Sequence, residues 1–207
     1  MSKSDSPYII GITGAISSGK SLVGKILQER GVPVFDSDLI VHDLLTLDTD
    51  TRKAVVKRFG ESIVDSNKDG AINRQKLGQI VFSDPAARKD LEAIVHPAVI
   101  AENRRRIHEH PNNTIVASLA PLLFEAGLKN EYNEIWTIMT NLETLKQRLK
   151  QRDHLSDSEI ESRLSAQWSQ EKKASMSDVV IDNSGTPEET AKQVDAQLEK
   201  LKLKTVC

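Results

Sequence analysis

The sequence predicts an α/β protein in which crossover helices connect the strands of a parallel β-sheet. Two observations predict this class. Short apolar runs typical of buried strands alternate with amphipathic helical patterns, and the first run leads through a glycine-rich loop directly into a helix. A chain of 207 residues suits one such core with insertions better than two independent domains.

The first strand and the first helix frame the glycine-rich loop. Residues 8–13 form the apolar strand, and residues 20–30 form the helix, which Gly31 ends. The inner side of the helix carries apolar residues at helical spacing, namely Leu22, Val23, Ile26 and Leu27. Strand, loop and helix in this order are the setting of a phosphate-binding loop.

The loop itself matches the pattern G-x-x-x-x-G-K-[ST]. Its glycines let successive backbone N–H groups point at phosphate oxygens, and the following helix adds its positive dipole end. We expect Lys20 to reach the β- and γ-phosphates of ATP and Ser21 to bind Mg²⁺ through its hydroxyl. A glycine- and serine-rich turn with an incidental lysine is the alternative. The predicted ATP-binding residues are Gly14, Ala15, Ile16, Ser17, Ser18, Gly19, Lys20 and Ser21.

Two aspartates, Asp36 and Asp38, follow the second strand, residues 32–35. Ligands of open parallel sheets bind at the carboxyl ends of strands, and in the simplest winding this strand neighbours the phosphate loop. A carboxylate there can accept a hydrogen bond from an acceptor hydroxyl aimed at the γ-phosphate, and Asp38 is favoured for this catalytic role. Alternatively, Asp36 or Ser37 only caps the next helix. Both roles can coexist.

The rest of the chain continues the α/β pattern around one long helical segment. Between Leu39 and Glu109 we expect a helical insertion without a second sheet, broken at Gly60, Asp69-Gly70, Asp84-Pro85 and His96-Pro97. Core strands resume at residues 114–117, 135–139 and 179–181. A charged helical hairpin, residues 142–176, lies between the last two, and an amphipathic helix, residues 187–203, follows.

Charge, cysteine content and hydropathy disfavour several classes of protein. The 28 basic and 30 acidic residues give a formal charge of −2, without the basic bias of a nucleic-acid binder. Cys207 is the only cysteine, so the sequence allows no intrachain disulfide and favours a reducing compartment. No apolar run reaches the length of a membrane span, and residues 1–6 lack the apolar core of a secretory signal peptide. We therefore expect a cytoplasmic protein that binds neither nucleic acid nor membrane.

A phosphate loop alone does not name a reaction, because GTPases, motor ATPases and small-molecule kinases share it. The guanine-selecting pattern N-K-x-D fails at Gly70, which disfavours a GTPase. The same segment copies half of a calcium loop, but Lys76 stands where a bidentate glutamate is needed. The third core strand lacks the acid that usually helps to hold Mg²⁺, and Glu125 is the nearest candidate.

Arginines suggest a second group of phosphate contacts. Arg148 and Arg152 are four residues apart and therefore share a helix face in the charged segment, where they could clamp ATP as part of a mobile lid. Paired surface arginines are the alternative. The run of three arginines at residues 104–106 is typical of a solvated helix face, although it could also line a cleft for a phosphorylated substrate.

The ordered set of motifs resembles the dephospho-coenzyme A kinase family over essentially the whole chain. The matching segments are the loop with its preceding strand (11–21), VFDSD (34–38), FG (59–60), DGAINR (69–74), VF (81–82), LEAIVHP (91–97), PLLFE (121–125) and SDVVIDN (177–183). The family's lid arginines fall on Arg148 and Arg152, and its lid glutamine falls on Gln167. The order of the segments carries the resemblance, since none after the loop is diagnostic alone.

This resemblance implies a P-loop kinase that transfers the ATP γ-phosphoryl group to the ribose 3′-hydroxyl of dephospho-CoA, the last step of coenzyme A synthesis. The implied parts are a core (1–38, 110–141 and 177–207), a helical acceptor-binding domain (39–109) and a helical lid (142–176). Only ATP, Mg²⁺ and dephospho-CoA are implied as ligands, and the chain is expected to be a monomer or a weak homo-oligomer.

The resemblance also assigns roles to individual residues. Asp38 becomes the base or hydroxyl-orienting group, Lys20 and Arg148 stabilise charge in the transition state, and Ser21 binds magnesium. The implied acceptor-binding residues are Asp38, His96, Pro121 and Leu122. The chain departs from the family pattern at Ala15, Ser17 and Leu22, and His42 stands where an arginine is expected. A kinase for another hydroxyl acceptor and a non-catalytic ATP-dependent switch are the alternative functions.

Overall fold

The computed structural model describes residues 6–47, 49–65, 70–112, 114–153 and 156–205. These form two compact units, the first made by the chain up to Phe35 and from His110 onward, and the second by Asp36–Glu109. The elements, in chain order, are β1 (Tyr8–Gly14), α1 (Lys20–Glu29), β2 (Val34–Asp36), α2 (Ser37–Thr46), α3 (Asp50–Phe59), β3 (Val64–Asp65), β4 (Ala71–Ile72), α4 (Arg74–Ser83), α5 (Pro85–His108), β5 (Ile115–Leu119), β6 (Glu134–Met139), α6 (Leu142–Asp153), α7 (Asp157–Ser165), α8 (Gln170–Ser175), β7 (Val179–Asp182) and α9 (Pro187–Thr205). The predicted α/β class is confirmed.

The sheet of the first unit has five strands in the order β2-β5-β1-β6-β7. Strand β1 pairs in parallel with β5 on one side and β6 on the other, with Gly14 opposite Ile138. The prediction that the second strand neighbours the phosphate loop was wrong, because β5 lies between β2 and β1. Strand β2 is a three-residue edge strand, and the preceding Pro33 offers only its carbonyl, which accepts from the Ala117 N–H at 2.8 Å.

The core of the first unit lies where α1 and α9 cover the sheet. The predicted inner residues Val23, Ile26 and Leu27 of α1 are buried, and Leu22 is partly buried against them. Trp136 at the centre of β6 has no exposed surface. Burial of one large apolar side chain stabilises the fold by roughly 1.5–3 kcal/mol, so this cluster holds the loop between β1 and α1 on a rigid base.

The second unit is built from helices α2 to α5, with a separate core that includes Leu45, Val55, Ile63 and Leu77. The expectation that this segment contains no sheet was wrong, because β3 and β4 pair as a short antiparallel hairpin. The break predicted at His96-Pro97 was also wrong. Helix α5 continues through Pro97, since the buried Val95 keeps this stretch of the helix packed in the core.

Capping groups explain the other helix boundaries of the second unit. Helix α3 ends at Gly60, which has φ of 84°. Helix α5 begins at Pro85, and Asp84 caps it by accepting from the Ala86 N–H at 2.8 Å. Both boundaries confirm predicted breaks. Residues 66–69, which include Asp69 of the predicted Asp69-Gly70 break and most of the calcium-like segment, lie outside the described residues, as does Cys207.

The segment from residue 142 to 176 contains three helices instead of the predicted hairpin. Ser156 and Glu159 form a reciprocal capping box that starts α7, and the Ser169 side chain accepts from the Lys172 N–H to start α8. These capping groups start α7 and α8 and so give the segment one helix more than a hairpin has, which its charged composition did not reveal. Within the described part of the chain, no helix is both long and apolar enough to cross a membrane.

Candidate active site

The phosphate loop, residues 14–21, has backbone angles that suit glycine. Gly14 has φ of 151° and Gly19 has φ of 98°. A β carbon on Gly14 would stand 2.5 Å from the Ile138 carbonyl oxygen, so a side chain there would force the loop away from β6. Ser17 has φ of 61°, a backbone angle that glycine adopts more readily, and its hydroxyl oxygen is buried with no hydrogen-bond partner in the described structure. The loop therefore tolerates strain of roughly 1 kcal/mol or more at Ser17.

The N-terminus of helix α1, which is the positive end of its dipole, lies at this loop. No side chain caps the helix among the residues that the structure describes, and Gly19 occupies the cap position. The Lys20 ammonium donates to the carbonyl oxygens of Gly14 at 3.0 Å and Ala15 at 2.8 Å. Backbone N–H groups at a helix start and an adjacent ammonium form an anion-binding site, which suits a polyphosphate.

Two side chains hold the carbonyl group of Ser18, which lies at the centre of the loop. The Ser18 carbonyl oxygen accepts from the Asn183 side-chain amide and from the Thr140 hydroxyl, each at 2.8 Å. Thr140 follows β6 and Asn183 follows β7, so both stand at the carboxyl ends of strands. Ligand-binding residues gather at this edge of a parallel sheet.

Arg148 lies next to the loop, as the sequence predicted for a phosphate clamp. Its guanidinium donates to the Asn183 carbonyl at 3.1 Å and to the Thr140 hydroxyl at 3.4 Å, and it lies 3.5 Å from the place of a β carbon on Gly19. Arg152 is one turn further along α6 and exposed. The proximity of Arg148 to Gly19 disfavours the interpretation of this residue as a remote surface arginine.

Helices of the predicted lid also contact the loop. The Ile16 N–H donates to the side-chain oxygen of Gln167 at 3.2 Å. The side chains of Ala15 and Ile16 pack against a small apolar cluster on α6 and α7 that includes Leu149 and Ile160. Packing thus anchors the two apolar side chains of the loop, those of Ala15 and Ile16. The backbone groups of the loop are left for polar contacts.

The PLLFE segment forms a buried ionic contact with α8. Lys173 is fully buried, and its ammonium donates to the Pro121 carbonyl at 2.6 Å and pairs with Glu125 at 3.0 Å. Burial lowers the pKa of Lys173, and the hydrogen bond and charge of Glu125 act against that shift. The Glu125 oxygen that pairs with Lys173 also accepts from the backbone N–H of Trp168 at 2.9 Å. This contact joins the segment that carries Pro121 and the 37% exposed Leu122 to Trp168 and helix α8.

We expect Lys173→Met to lower the free energy of unfolding by roughly 3–5 kcal/mol, because Glu125, whose side chain is only 18% exposed, would lose its cation. Denaturant unfolding measures this loss. Lys172→Met is the matched control, since Lys172 is exposed and lies 3.4 Å above the Trp168 ring centroid. Its loss should be about 1 kcal/mol or less. Equal losses in the two variants would contradict a stabilising Glu125–Lys173 pair.

Magnesium has one candidate ligand at the loop. Ser21 is exposed in the first turn of α1, where its hydroxyl oxygen is the kind of hard donor that Mg²⁺ prefers. Glu125 is committed through one oxygen to Lys173 and Trp168, and its other oxygen is buried. Its predicted metal role stays a prediction. Across the described ranges, no cluster of three or more His, Cys, Asp or Glu side chains could hold a metal ion.

The predicted acceptor residues Asp38 and His96 belong to the second unit. Asp38 is exposed in the first turn of α2, and His96 is exposed in α5. Asp36 caps α2 by accepting from the Asp38 N–H at 2.8 Å, as one alternative predicted. Arg105 and Arg106 both pair with Glu102, which fits the predicted charged helix face. The roles of Asp38 and His96 stay predictions.

Sequence reasoning missed Thr140, Asn183 and Lys173 as contributors to this site. Thr140 could have been found, because it ends a core strand next to β1 and thus meets the criterion that selected Asp38. Asn183 ends the SDVVIDN segment, and the sequence predicted no role for it at the site. Lys173 gave no signal, since a lysine in a charged segment is normally solvated.

Comparisons with known proteins agree on one family. A family model described as dephospho-CoA kinase matches residues 8–189. The dephospho-CoA kinase of Symbiobacterium thermophilum is 44% identical over 190 residues, covering 91% of this chain and 79% of the relative. That of Geobacter sulfurreducens is 43% identical over 189 residues, covering 90% and 95%. The crystal structure of a Thermus thermophilus protein matches with a TM-score of 0.75 at 33% identity, covering 95% of this chain and 98% of its own.

Proposed function

The chain belongs to the dephospho-CoA kinase family, and from that membership we propose that it transfers the γ-phosphoryl group of ATP to the ribose 3′-hydroxyl of dephospho-CoA. One observation carries the proposal: the family match spans residues 8–189 and includes a phosphate loop whose backbone, lysine and neighbouring arginine suit a polyphosphate. We further propose that the protein acts in the cytoplasm without nucleic-acid or membrane partners, as a monomer or a weak homo-oligomer.

The donor side of the reaction rests on the phosphate loop. Backbone N–H groups of the loop bind the β- and γ-phosphates of ATP, and the Lys20 ammonium leaves its two carbonyl partners to neutralise charge on the transferring group. Arg148 supplies a second cation from the lid. The Ser21 hydroxyl would hold Mg²⁺, which would supply positive charge to offset the charge of the phosphates.

The acceptor side rests on the second unit. The 3′-hydroxyl oxygen of dephospho-CoA attacks the γ-phosphorus, the bond to the ADP oxygen breaks, and the hydroxyl proton passes to the Asp38 carboxylate. Asp38 comes two residues after the end of β2, at the carboxyl end of a strand, where ligands of parallel sheets bind. His96, Pro121 and Leu122 are the further acceptor-binding residues that we propose from the family pattern.

Arg148→Ala should lower kcat roughly ten- to a hundredfold, because one charge-assisted contact to the transferring group is lost. Its melting temperature should stay close to that of the unchanged protein, since the lost contacts are two hydrogen bonds at a half-buried guanidinium. Arg88→Ala is the control for loss of an arginine, since Arg88 is exposed in α5 and pairs with Glu92 at 2.9 Å, so its loss should change neither kcat nor melting temperature noticeably. Parallel losses of stability and activity in Arg148→Ala would make Arg148 a structural residue.

A panel of acceptors tests the proposed function. With Mg²⁺ and ATP, release of ADP should be much faster with dephospho-CoA than with AMP, adenosine or shikimate. The second unit, Asp36–Glu109, is larger than a lone nucleotide needs, and binding energy from the rest of the acceptor can align its hydroxyl. Truncated acceptors should therefore lose kcat as well as affinity. If AMP serves equally well, the protein is a general nucleotide kinase; if no acceptor is used while ATP binds, it is a switch.

A further inference from the structure

The peptide bond between Ser18 and Gly19 has its polarity fixed by two buried side chains. In a trans peptide the C=O and N–H groups point in opposite directions, and no cis peptide occurs in the described residues. The Ser18 carbonyl points at Asn183 and Thr140, each 2.8 Å away. The Gly19 N–H therefore points away from both side chains.

Asn183 faces the loop through its side-chain amide nitrogen. Its side-chain oxygen accepts from the Thr190 hydroxyl at 2.9 Å, which leaves the amide NH₂ to face Ser18. Its backbone N–H donates to the Met139 carbonyl at 2.7 Å, and the residue is 1% exposed. A buried side chain with both ends satisfied is held in one orientation.

Thr140 is held as firmly as Asn183. Gln170 accepts from the Thr140 backbone N–H at 3.0 Å and donates to the Thr140 carbonyl at 2.8 Å. Thr140 is 2% exposed, so its hydroxyl has no water with which to exchange its protein partners. The hydroxyl lies closer to the Ser18 carbonyl than to the Asn183 carbonyl, which is 3.3 Å away.

The same two residues also contact the rest of the site. A β carbon on Gly19 would stand 1.8 Å from the Asn183 amide nitrogen, so Asn183 lies directly against the backbone of the loop. Arg148 donates to the Asn183 carbonyl and to the Thr140 hydroxyl. Asn183 and Thr140 thus set both the direction of a loop N–H and the position of the lid arginine.

We propose that Asn183 and Thr140 are positioning residues that hold the Ser18–Gly19 peptide with its N–H directed at a bound polyphosphate. A flipped peptide would instead present the Ser18 carbonyl oxygen, which repels phosphate oxygens. Preorganisation of such a donor favours anion binding because no reorganisation is needed when the ligand arrives. The proposal rests on the proposed function only in taking a nucleoside triphosphate as the ligand.

Calorimetric titration with inorganic tripolyphosphate and with ATP tests the proposal on the full chain. Thr140→Val removes the hydroxyl at nearly constant shape, and its affinity for both ligands should fall about tenfold, as expected for loss of one hydrogen bond. Thr140→Ser restores the hydroxyl and should recover most of the affinity. Thr51→Val, in α3 of the second unit, is the control for the same substitution elsewhere.

Asn183→Asp is a second test of the proposal. It applies even if Thr140→Val does not fold. It replaces the donor to Ser18 with a carboxylate oxygen, and tripolyphosphate affinity should fall on the order of a hundredfold, because a carbonyl facing a carboxylate favours the flipped peptide. Affinities within twofold of the unchanged protein in both variants, with lower melting temperatures, would overturn the proposal and leave a purely structural role. Tripolyphosphate needs no acceptor, so failure to phosphorylate dephospho-CoA would refute the proposed function separately.

Discussion

Lys20→Met is expected to lower kcat on the order of 10²–10³, because one preorganised cation on the transferring group is removed. The fold should survive, since Lys20 is a partly exposed loop residue whose ammonium donates to the backbone carbonyls of Gly14 and Ala15 and packs into no apolar core cluster of the described residues. Initial rates at saturating ATP and dephospho-CoA measure the effect, and circular dichroism with thermal melting measures the fold.

Lys25→Met is the matched control for this substitution. Lys25 lies in the same helix α1, and its side chain is 73% exposed beside Glu29 at 4.0 Å, so its loss should change neither rate nor melting temperature noticeably. A near-normal kcat in Lys20→Met would remove the phosphate loop from the mechanism.

Asp38→Asn is expected to lower kcat by about 10²–10⁴, because an amide cannot accept the proton that the acceptor hydroxyl releases. The KM for ATP should change little, since Asp38 acts on the acceptor. Asp36→Asn is the control. Asparagine caps helices as well as aspartate does, so the bond from the Asp38 N–H that starts α2 should survive.

Steady-state kinetics on the two aspartate variants distinguish their roles. We expect Asp36→Asn to retain most of kcat. The opposite ranking, with the larger loss in Asp36→Asn, would place the base on Asp36 and reduce Asp38 to a residue of the first helical turn.

The sequence predicted the parts of the fold whose signals are local. The phosphate loop, the strands at β5, β6 and β7, and the boundaries at Gly60 and Asp84 depend on short patterns of apolar, glycine and capping residues. The structure places Arg148 beside Gly19 of the loop, and its role as a phosphate clamp stays a prediction. Each of these features could be predicted because its cause lies within a few residues of the chain.

The features that were missed depend on contacts between distant residues. The position of β2 at the sheet edge follows from the pairing of β5 with β1, and propensity contains no information on that choice. Helix α5 passes Pro97 because tertiary packing outweighs the lost hydrogen bond. The Asn183 contact with Ser18 joins residues 165 positions apart, so only the folded chain reveals it.

Mapping the phosphate on the reaction product is the most direct test of the central claim. The purified protein is incubated with Mg²⁺, ATP and dephospho-CoA, and the product is isolated and assigned by ³¹P and ¹H NMR. We expect a single new phosphomonoester on the 3′ carbon of the ribose, with one ADP released for each. A phosphate at the 2′ carbon or on the pantetheine arm, or ADP release without a phosphorylated acceptor, would contradict the account.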